Sequence, residues 1–324
     1  MTNITMIEAA AQRAQGVARQ TPMLSSPFLD EIAGRRVFVK PECLQHTGSF
    51  KFRGAWSALS GMAVDARARG VIAYSSGNHA QGVALAARMH GVRAVILMPS
   101  DAPRVKIENT RALGAEVVLH DRETDDRDET GARLAAERGL TLVKPFDNPL
   151  VVAGQGTVGL EIAAQAGEHG IGTAQVLVPC GGGGLTSGIA LALEAHAPDM
   201  VVRPCEPEGF DDTIRSLRSG RREVNARRGG SICDAIITPS PGEVTLPIMQ
   251  RLCQPGFAVT EGDVLRAMAL AFERLRIVVE PGGAVALAAA LFHAEALPEG
   301  DVIAVVSGGN VDQAVFARAL GVRG

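Results

Sequence analysis

The sequence predicts an α/β protein built as two lobes, each a mostly parallel sheet flanked by helices. Short β-branched runs alternate with longer helix-compatible runs in two series, one over residues 71–145 and one over residues 151–307. The chain has 324 residues, too many for one small core and enough for two. It holds 37 glycines but only 4% aromatic residues, a composition that suits Ala/Val/Gly-rich packing and many tight strand–helix turns.

Taken in order, residues 7–18 read as a first helix, and Thr21-Pro22 and Ser26-Pro27 punctuate the turn after it. RVFVK (36–40) is a strand ended by Pro41, and residues 52–59 are a helix. The first alternating series has strands at 71–75, 93–99, 115–120 and 141–145, separated by helices at 78–89, 103–113 and 129–138. The second has a helix within 151–166, strand TAQVLVP (173–179), the helix-compatible IALALEAHA after it, and strand MVVRPCEP (200–207). Residues 261–275 follow as a helix, with Thr260 as N-cap and Asp263 three residues on, and its apolar positions share one face. RIVVE (276–280) reads as a short strand, 283–297 as a helix, and VIAVVS (302–307) as a last buried strand. Neither an internal repeat nor a low-complexity linker is present.

Several function classes drop out. The formal net charge is -3, so there is no basic field for nucleic acid or anionic lipid. The polar stretch 121–129 and the arginines 221, 222, 227 and 228 read as solvated faces or loops. The five cysteines are widely spaced with no C-x-x-C pair, which argues against a zinc site or disulfide framework and for a reducing, cytoplasmic setting. The N-terminal residues lack the apolar run of a signal peptide, and no stretch is long and apolar enough to span a bilayer.

Chemistry concentrates at strand exits, where ligands of such sheets bind. In HTGSFKFRGA (46–55), Lys51 lies between Phe50 and Phe52. Partial burial lowers a lysine's pKa and frees an amine able to form a Schiff base; the plainer alternative is a surface lysine at a helix start. Gly181, Gly182, Gly183 and Gly184 follow an apolar strand and open a helix. Such a turn points N–H groups at an anion and adds the helix dipole, a phosphate cradle. A dinucleotide fingerprint is its rival: G-x-G-x-x-G started at Gly181 needs Gly where Thr186 stands, although Glu206 ends the next strand where a ribose-binding carboxylate would lie. SSGNHAQG (75–82) offers two hydroxyls, an amide and an imidazole beside a helix start, suited to a carboxylate or a hydroxylated ring; helix capping by Ser76 or Asn78 is the alternative. SGGN (307–310) ends the last strand and Glu280 the segment before it.

Together these stretches, with AGQGTVGLE (153–161), CEPEGFDD (205–212) and VEPGGAVALAA (279–289), resemble the pyridoxal-phosphate enzymes of the tryptophan-synthase-β fold type, or fold type II. The match is closest to the serine/threonine dehydratase and serine racemase branch, and the motifs occur in the family's order over nearly the whole chain. The resemblance implies a large cofactor-binding domain of residues 1–54 and 149–324 with a small domain, 55–148, inserted in it. It implies that Lys51 is the Schiff-base lysine and that Phe50 covers one face of the cofactor ring. Gly181, Gly182, Gly183, Gly184 and Leu185 would hold the phosphate, Asn78 would contact the ring hydroxyl, and Ser307 would face the pyridine nitrogen. Glu280 counts among the cofactor contacts, and Ser75, Ser76, Asn78 and His79 would surround the substrate carboxylate. Glu206, Asp212 and the carbonyl of Phe210 match the metal site of the family's divalent-ion-activated members, which reassigns Glu206 from ribose to Mg²⁺ or Ca²⁺.

The implied activity is dehydration of L-threonine or L-serine to a 2-oxo acid and ammonia, with serine racemase and 3-hydroxyaspartate dehydratase as rivals. A non-catalytic cofactor-binding module and an NAD-dependent enzyme are remoter ones. Two departures bear on this. Ala235 in SICDAI stands where the family commonly has Gly at the cofactor's open face. Ser76 stands where simple threonine dehydratases carry Ala and the racemases carry Ser, and a hydroxyl opposite Lys51 can act as a second acid–base group. A homodimer is a further family expectation. The chain ending at Gly324 leaves no room for a C-terminal regulatory domain of the kind some biosynthetic threonine dehydratases carry.

Overall fold

Ten strands fall into two sheets in a computed structural model that describes residues 2–102, 104–121 and 124–322. Pro103, Arg122, Glu123 and Gly324, which figure in the readings above, lie outside the described residues. In chain order the strands are β1 (Leu24–Ser25), β2 (Val37–Pro41), β3 (Val71–Tyr74), β4 (Ala94–Pro99) and β5 (Glu116–His120). Then come β6 (Thr141–Leu142), β7 (Ala174–Pro179), β8 (Met200–Pro207), β9 (Phe257–Val259) and β10 (Asp301–Val306). The small sheet runs β5-β4-β3-β6 and is parallel throughout. The large sheet runs β1-β2-β10-β7-β8-β9, parallel except for the short edge strand β1.

The central strands of the large sheet are buried along nearly their whole length, as expected for a parallel sheet covered on both faces. The helix Pro281–Phe292 fills the space beneath it, and its residues from Pro281 to Leu291 are all buried. A helix apolar on every side is a core helix, not a surface one. The long helix Pro149–Glu168 packs on Gly184–His196 through glycines. A Cβ at Gly188 would sit 2.5 Å from the Gly156 backbone nitrogen, so this contact is closed to any larger residue.

One sequence expectation fails here. Residues 276–280 form no strand. Helix Glu261–Leu270 runs into a widened turn, Ala271–Leu275, that ends at Arg276 with φ +59°, and the chain then crosses the sheet end instead of joining it. The backbone N–H of Glu280 donates to the Gly308 carbonyl at 3.0 Å, which turns Glu280 inward. The β-branched run was a misleading signal because its neighbour is a loop. Helix Pro27–Ala33, read as a turn, forms because Pro27 takes the first helical position and Gly34 closes the end with φ +67°.

The helix that starts at Lys51, Lys51–Ser60, is fixed from below by a buried ionic cluster. The Arg53 guanidinium forks onto Glu42 (Nε–Oε2 2.7 Å, Nη2–Oε1 2.8 Å) and onto Glu161 (Nη1–Oε1 2.6 Å, Nη2–Oε2 3.0 Å). Lys40, wholly buried, donates to Glu161 at 2.6 Å, Gln165 at 2.8 Å and the Thr21 carbonyl at 2.7 Å. Two cations and two carboxylates thus satisfy one another away from water. Replacing Arg53 with Met leaves Glu42 buried without its partner. The expected loss is about 3–5 kcal/mol of unfolding free energy, read from urea denaturation of the cofactor-free chain; a loss below about 1 kcal/mol would show that the cluster does not hold this helix.

Candidate active site

The strand exits of both sheets face one another across Lys51. The loop before it is clamped to the exit of β10: Phe50 N–H donates to the Ser307 carbonyl at 3.1 Å and Gly309 N–H to the Gly48 carbonyl at 2.9 Å. Thr47 has φ +58°, an unfavourable left-handed conformation for a β-branched residue. Asn310 holds it there by donating to its carbonyl at 2.7 Å. The side-chain hydroxyls of Thr47 and Ser49 are buried and have no protein partner among the described residues.

Lys51 is half-buried in this setting. Its Nζ donates to the Pro145 carbonyl at 2.9 Å and lies 5.1 Å from the centroid of the Phe50 ring. Burial brings its pKa down from 10.5 to about 8, against an opposing pull from Glu280. The amine is therefore partly unprotonated near neutral pH, as a Schiff-base lysine requires.

Asn78 opens the helix Asn78–His90 and donates to Glu280 Oε1 at 2.6 Å. Its own oxygen accepts from Asn310 Nδ2 at 2.7 Å. Glu280 lies so close to the β10 exit that a Cβ at Gly308 would meet its Oε1 at 2.0 Å. Asn78, Glu280 and Asn310 therefore form one polar cluster joining the two sheets beside the exit of β10. Asn310 was missed as a site residue; its signal was the SGGN exit, which the sequence singled out without giving its Asn a role.

Ser75 and Ser76 occupy the turn between β3 and this helix, both half-buried. Ser75 Oγ accepts from the Gly77 N–H at 3.2 Å. The His79 ring turns into the small lobe, where Nε2 meets the Val143 carbonyl at 2.8 Å. Burial, then the charge of Lys51, pushes its pKa down to about 3, so the ring stays neutral. What His79 offers an incoming carboxylate is its backbone N–H at the helix start, beside that of Asn78.

The glycine turn fits a phosphate. Among the described residues, the N–H groups of Gly181, Gly182, Gly183, Gly184 and Leu185 donate to no protein acceptor. Unpaired backbone N–H groups in a buried turn point to a ligand that pairs them. Gly183 has φ +86°, and a Cβ there would lie 2.4 Å from Met249 Cε. At Gly182 a Cβ would strike the Phe146 ring at 2.3 Å.

Glu206, Asp212 and Phe210 sit behind this turn. Glu206 is fully buried and accepts the N–H groups of Thr213 (3.0 Å) and Ile214 (2.8 Å). Asp212 Oδ1 takes a bond from Asn225, while its Oδ2 is buried with no partner among the described residues. Burial, then the charge of Asp212, pushes Glu206 well above the usual carboxylate range; burial raises Asp212 to about 6. An orphaned carboxylate oxygen beside a second carboxylate fits a hard divalent ion. Among the described residues no group of three or more His, Cys, Asp and Glu is placed to hold a metal, so backbone oxygen would have to complete the set.

With this geometry in place, the comparisons are decisive on kinship. The model of the family described as pyridoxal-phosphate dependent enzyme matches residues 14–308. The chain belongs to that family. It is 42% identical to an L-threo-3-hydroxyaspartate ammonia-lyase of Pseudomonas sp over 96% of each chain. It is 37% identical to an L-threonine ammonia-lyase of Thermotoga maritima, over 99% of this chain and 78% of that one. The crystal structure of serine racemase from Dictyostelium discoideum superposes with a TM-score of 0.89 at 35% identity, covering 96% of this chain and 99% of that one. The reading of an α/β protein with two mostly parallel sheets and the reading of a pyridoxal-phosphate dependent enzyme thus stand, and the NAD reading gives way.

The Glu280 carboxyl is raised from 4.5 to about 7, chiefly by burial, against the hydrogen bond from Asn78. A raised folded-state value means that the folded chain keeps a proton which the unfolded chain releases. Stability from this group is full below about 4.5 and is lost as pH rises through about 7. Glu280→Gln should remove that slope: its urea midpoint, relative to the parent, should rise between measurements below and above this window. An unchanged difference would refute the buried placement of the carboxyl.

Proposed function

We propose that the chain is an ammonia-lyase that eliminates water from small β-hydroxy amino acids, L-threonine and L-serine first. The observation that carries this reading is the placement of Lys51, its Nζ on the Pro145 carbonyl and against the Phe50 ring, near the unpaired N–H groups of the glycine turn and the Asn78–Glu280–Asn310 cluster. When bound, pyridoxal phosphate takes up the electron pair left as the substrate α-carbon loses its proton. Lys51 holds the cofactor covalently between turnovers and removes that proton as a free amine. The N–H groups of Asn78 and His79, with the hydroxyls of Ser75 and Ser76, take the substrate carboxylate. Phe50 covers one ring face, Asn78 meets the ring hydroxyl, and Gly181, Gly182, Gly183, Gly184 and Leu185 hold the phosphate. Ser307 offers the ring nitrogen a neutral hydroxyl, which stabilises positive charge there less than a carboxylate does. That arrangement favours prompt loss of the β-hydroxyl, and the enamine released hydrolyses to a 2-oxo acid and ammonia.

The kinship with a hydroxyaspartate enzyme supports a second reading, in which the β-substituent is a carboxylate. Such a substrate needs a further cation. Lys106 lies within electrostatic range of Glu280 and approaches Asp234 Oδ2 at 3.6 Å, next to Ala235. Ser76 keeps racemisation open as a side activity. Glu206, Asp212 and the Phe210 carbonyl would bind Mg²⁺ or Ca²⁺ and brace the helix that follows, Asp212–Ser219. Residues 55–148 act as the small domain, since the four-stranded sheet lies wholly within them. The five free cysteines support a reducing compartment, and we take the working form to be a cytoplasmic homodimer.

Lys51→Ala should abolish turnover together with the visible absorbance of the bound cofactor; persistence of that absorbance would overturn the assignment. A panel of L-threonine, L-serine and L-threo-3-hydroxyaspartate, assayed for 2-oxo acid and for D-isomer with and without Mg²⁺, decides among the substrates. Ser76→Ala should lower D-isomer formation by a larger factor than 2-oxo acid formation. Lys106→Gln should raise KM for hydroxyaspartate and not for serine if the second reading holds. A panel that yields no 2-oxo acid from any member sinks the lyase reading.

A further inference from the structure

Four glycines in a row have little intrinsic preference for the direction of their peptide planes. A phosphate cradle needs those planes fixed, with N–H groups inward. The residues that fix them lie in the short linker between β6 and the helix Pro149–Glu168, which nothing above assigns. Its residues 145 and 146 contact Lys51 and the glycine turn, and residue 147 contacts the loop beside that turn. The Pro145 carbonyl accepts from Lys51 Nζ at 2.9 Å. The Phe146 ring lies over the turn: a Cβ at Gly182 would meet it at 2.3 Å, and one at Gly184 would meet the Phe146 Cβ at 3.1 Å. Asp147 Oδ1 accepts the Val244 N–H at 2.7 Å.

The Asp147 contact reaches the cradle through the 242–245 loop. Gly182 presents its carbonyl to this loop, accepting from Thr245 Oγ1 at 2.6 Å and from the Gly242 N–H at 3.2 Å. In a trans peptide the C=O of one residue and the N–H of the next point in opposite directions. Holding the Gly182 carbonyl outward therefore turns the Gly183 N–H to the other side. Asp147 pins the loop that does the holding, and Phe146 occupies the space into which the Gly182 backbone would otherwise shift.

We propose that Phe146 and Asp147 are positioning residues for the cofactor's phosphate, acting by locking the peptide planes of the glycine turn in register with Lys51. The inference rests on the pyridoxal phosphate reading of the turn and goes beyond it to two residues outside the turn. Its signature is selectivity for the phosphate. A residue that merely supports the fold weakens every ligand alike; one that orders the cradle weakens only the phosphorylated one.

The test titrates the cofactor-free full chain with pyridoxal phosphate and, separately, with pyridoxal, following the visible absorbance of the Lys51 adduct. Phe146→Ala and Asp147→Ala should each raise the dissociation constant for pyridoxal phosphate by about tenfold or more and leave that for pyridoxal unchanged. Phe146→Leu, which refills part of the ring's volume, should fall between parent and Ala variant. Thermal melting of each cofactor-free variant monitors folding; should Phe146→Ala not fold, Phe146→Leu and Asp147→Ala carry the comparison. Equal weakening of both ligands, or unchanged pyridoxal phosphate binding, overturns the inference. A parent chain that binds the two ligands equally well overturns the cradle assignment itself, and the inference with it.

Discussion

The Arg53 fork between Glu42 and Glu161 is the constraint on which the rest of the site depends. It ties together three pieces that are distant in sequence: the exit of β2, the helix that begins at Lys51, and the long helix Pro149–Glu168. Lys40 closes the set from beneath Glu161. Taking four charged groups out of water is costly unless each finds its counterpart, so the cluster tolerates only one mutual arrangement of the three pieces. Lys51 lies two residues from Arg53 and inherits that arrangement. A reactive amine on a helix start needs this kind of anchoring, because the helix has no side-chain cap of its own.

Above the cluster, the site is assembled from strand exits with almost no regular structure of its own. Parallel strands place their C-terminal ends on one side, where the loops that leave them supply Ser75, Gly181 and Ser307 and the end of β8 supplies Glu206. What joins these loops is hydrogen bonding between side chains and backbone: Asn78 with Glu280, Asn310 with Thr47, Thr245 with Gly182. The small sheet reaches the large one through Asn78 and through the 145–147 linker, so residues leaving both sheets meet at one site.

Local signals made the motifs legible in the sequence, and the same locality limited what could be read. Apolar strands such as β7 and β10 declare themselves through β-branched runs, and the four glycines declare a backbone constraint at once. The partners of those glycines do not. Phe146 and Met249 lie tens of residues away and look like ordinary apolar residues until the fold brings them to the turn. Arg53 stood in plain view beside Lys51, yet nothing in its neighbourhood says that it pairs with Glu42 and Glu161. Residues 276–280 mislead for the opposite reason: their composition is that of a strand, while Arg276 in the left-handed region and the bond from Glu280 to Gly308 hold the segment as a crossing. His79 reads as a side chain aimed at substrate, but its ring is spent on the Val143 carbonyl.

The groups that a Cβ on the four glycines would meet first belong to Phe146, Met249, Thr245 and the Ile236 backbone, and none of these carries a charge. The turn therefore addresses a doubly negative group with dipoles in place of counter-ions. Groups held away from bulk water are screened by salt much less than exposed surface charges are. Cofactor retention in this chain should accordingly vary less with ionic strength than binding through exposed surface charges would.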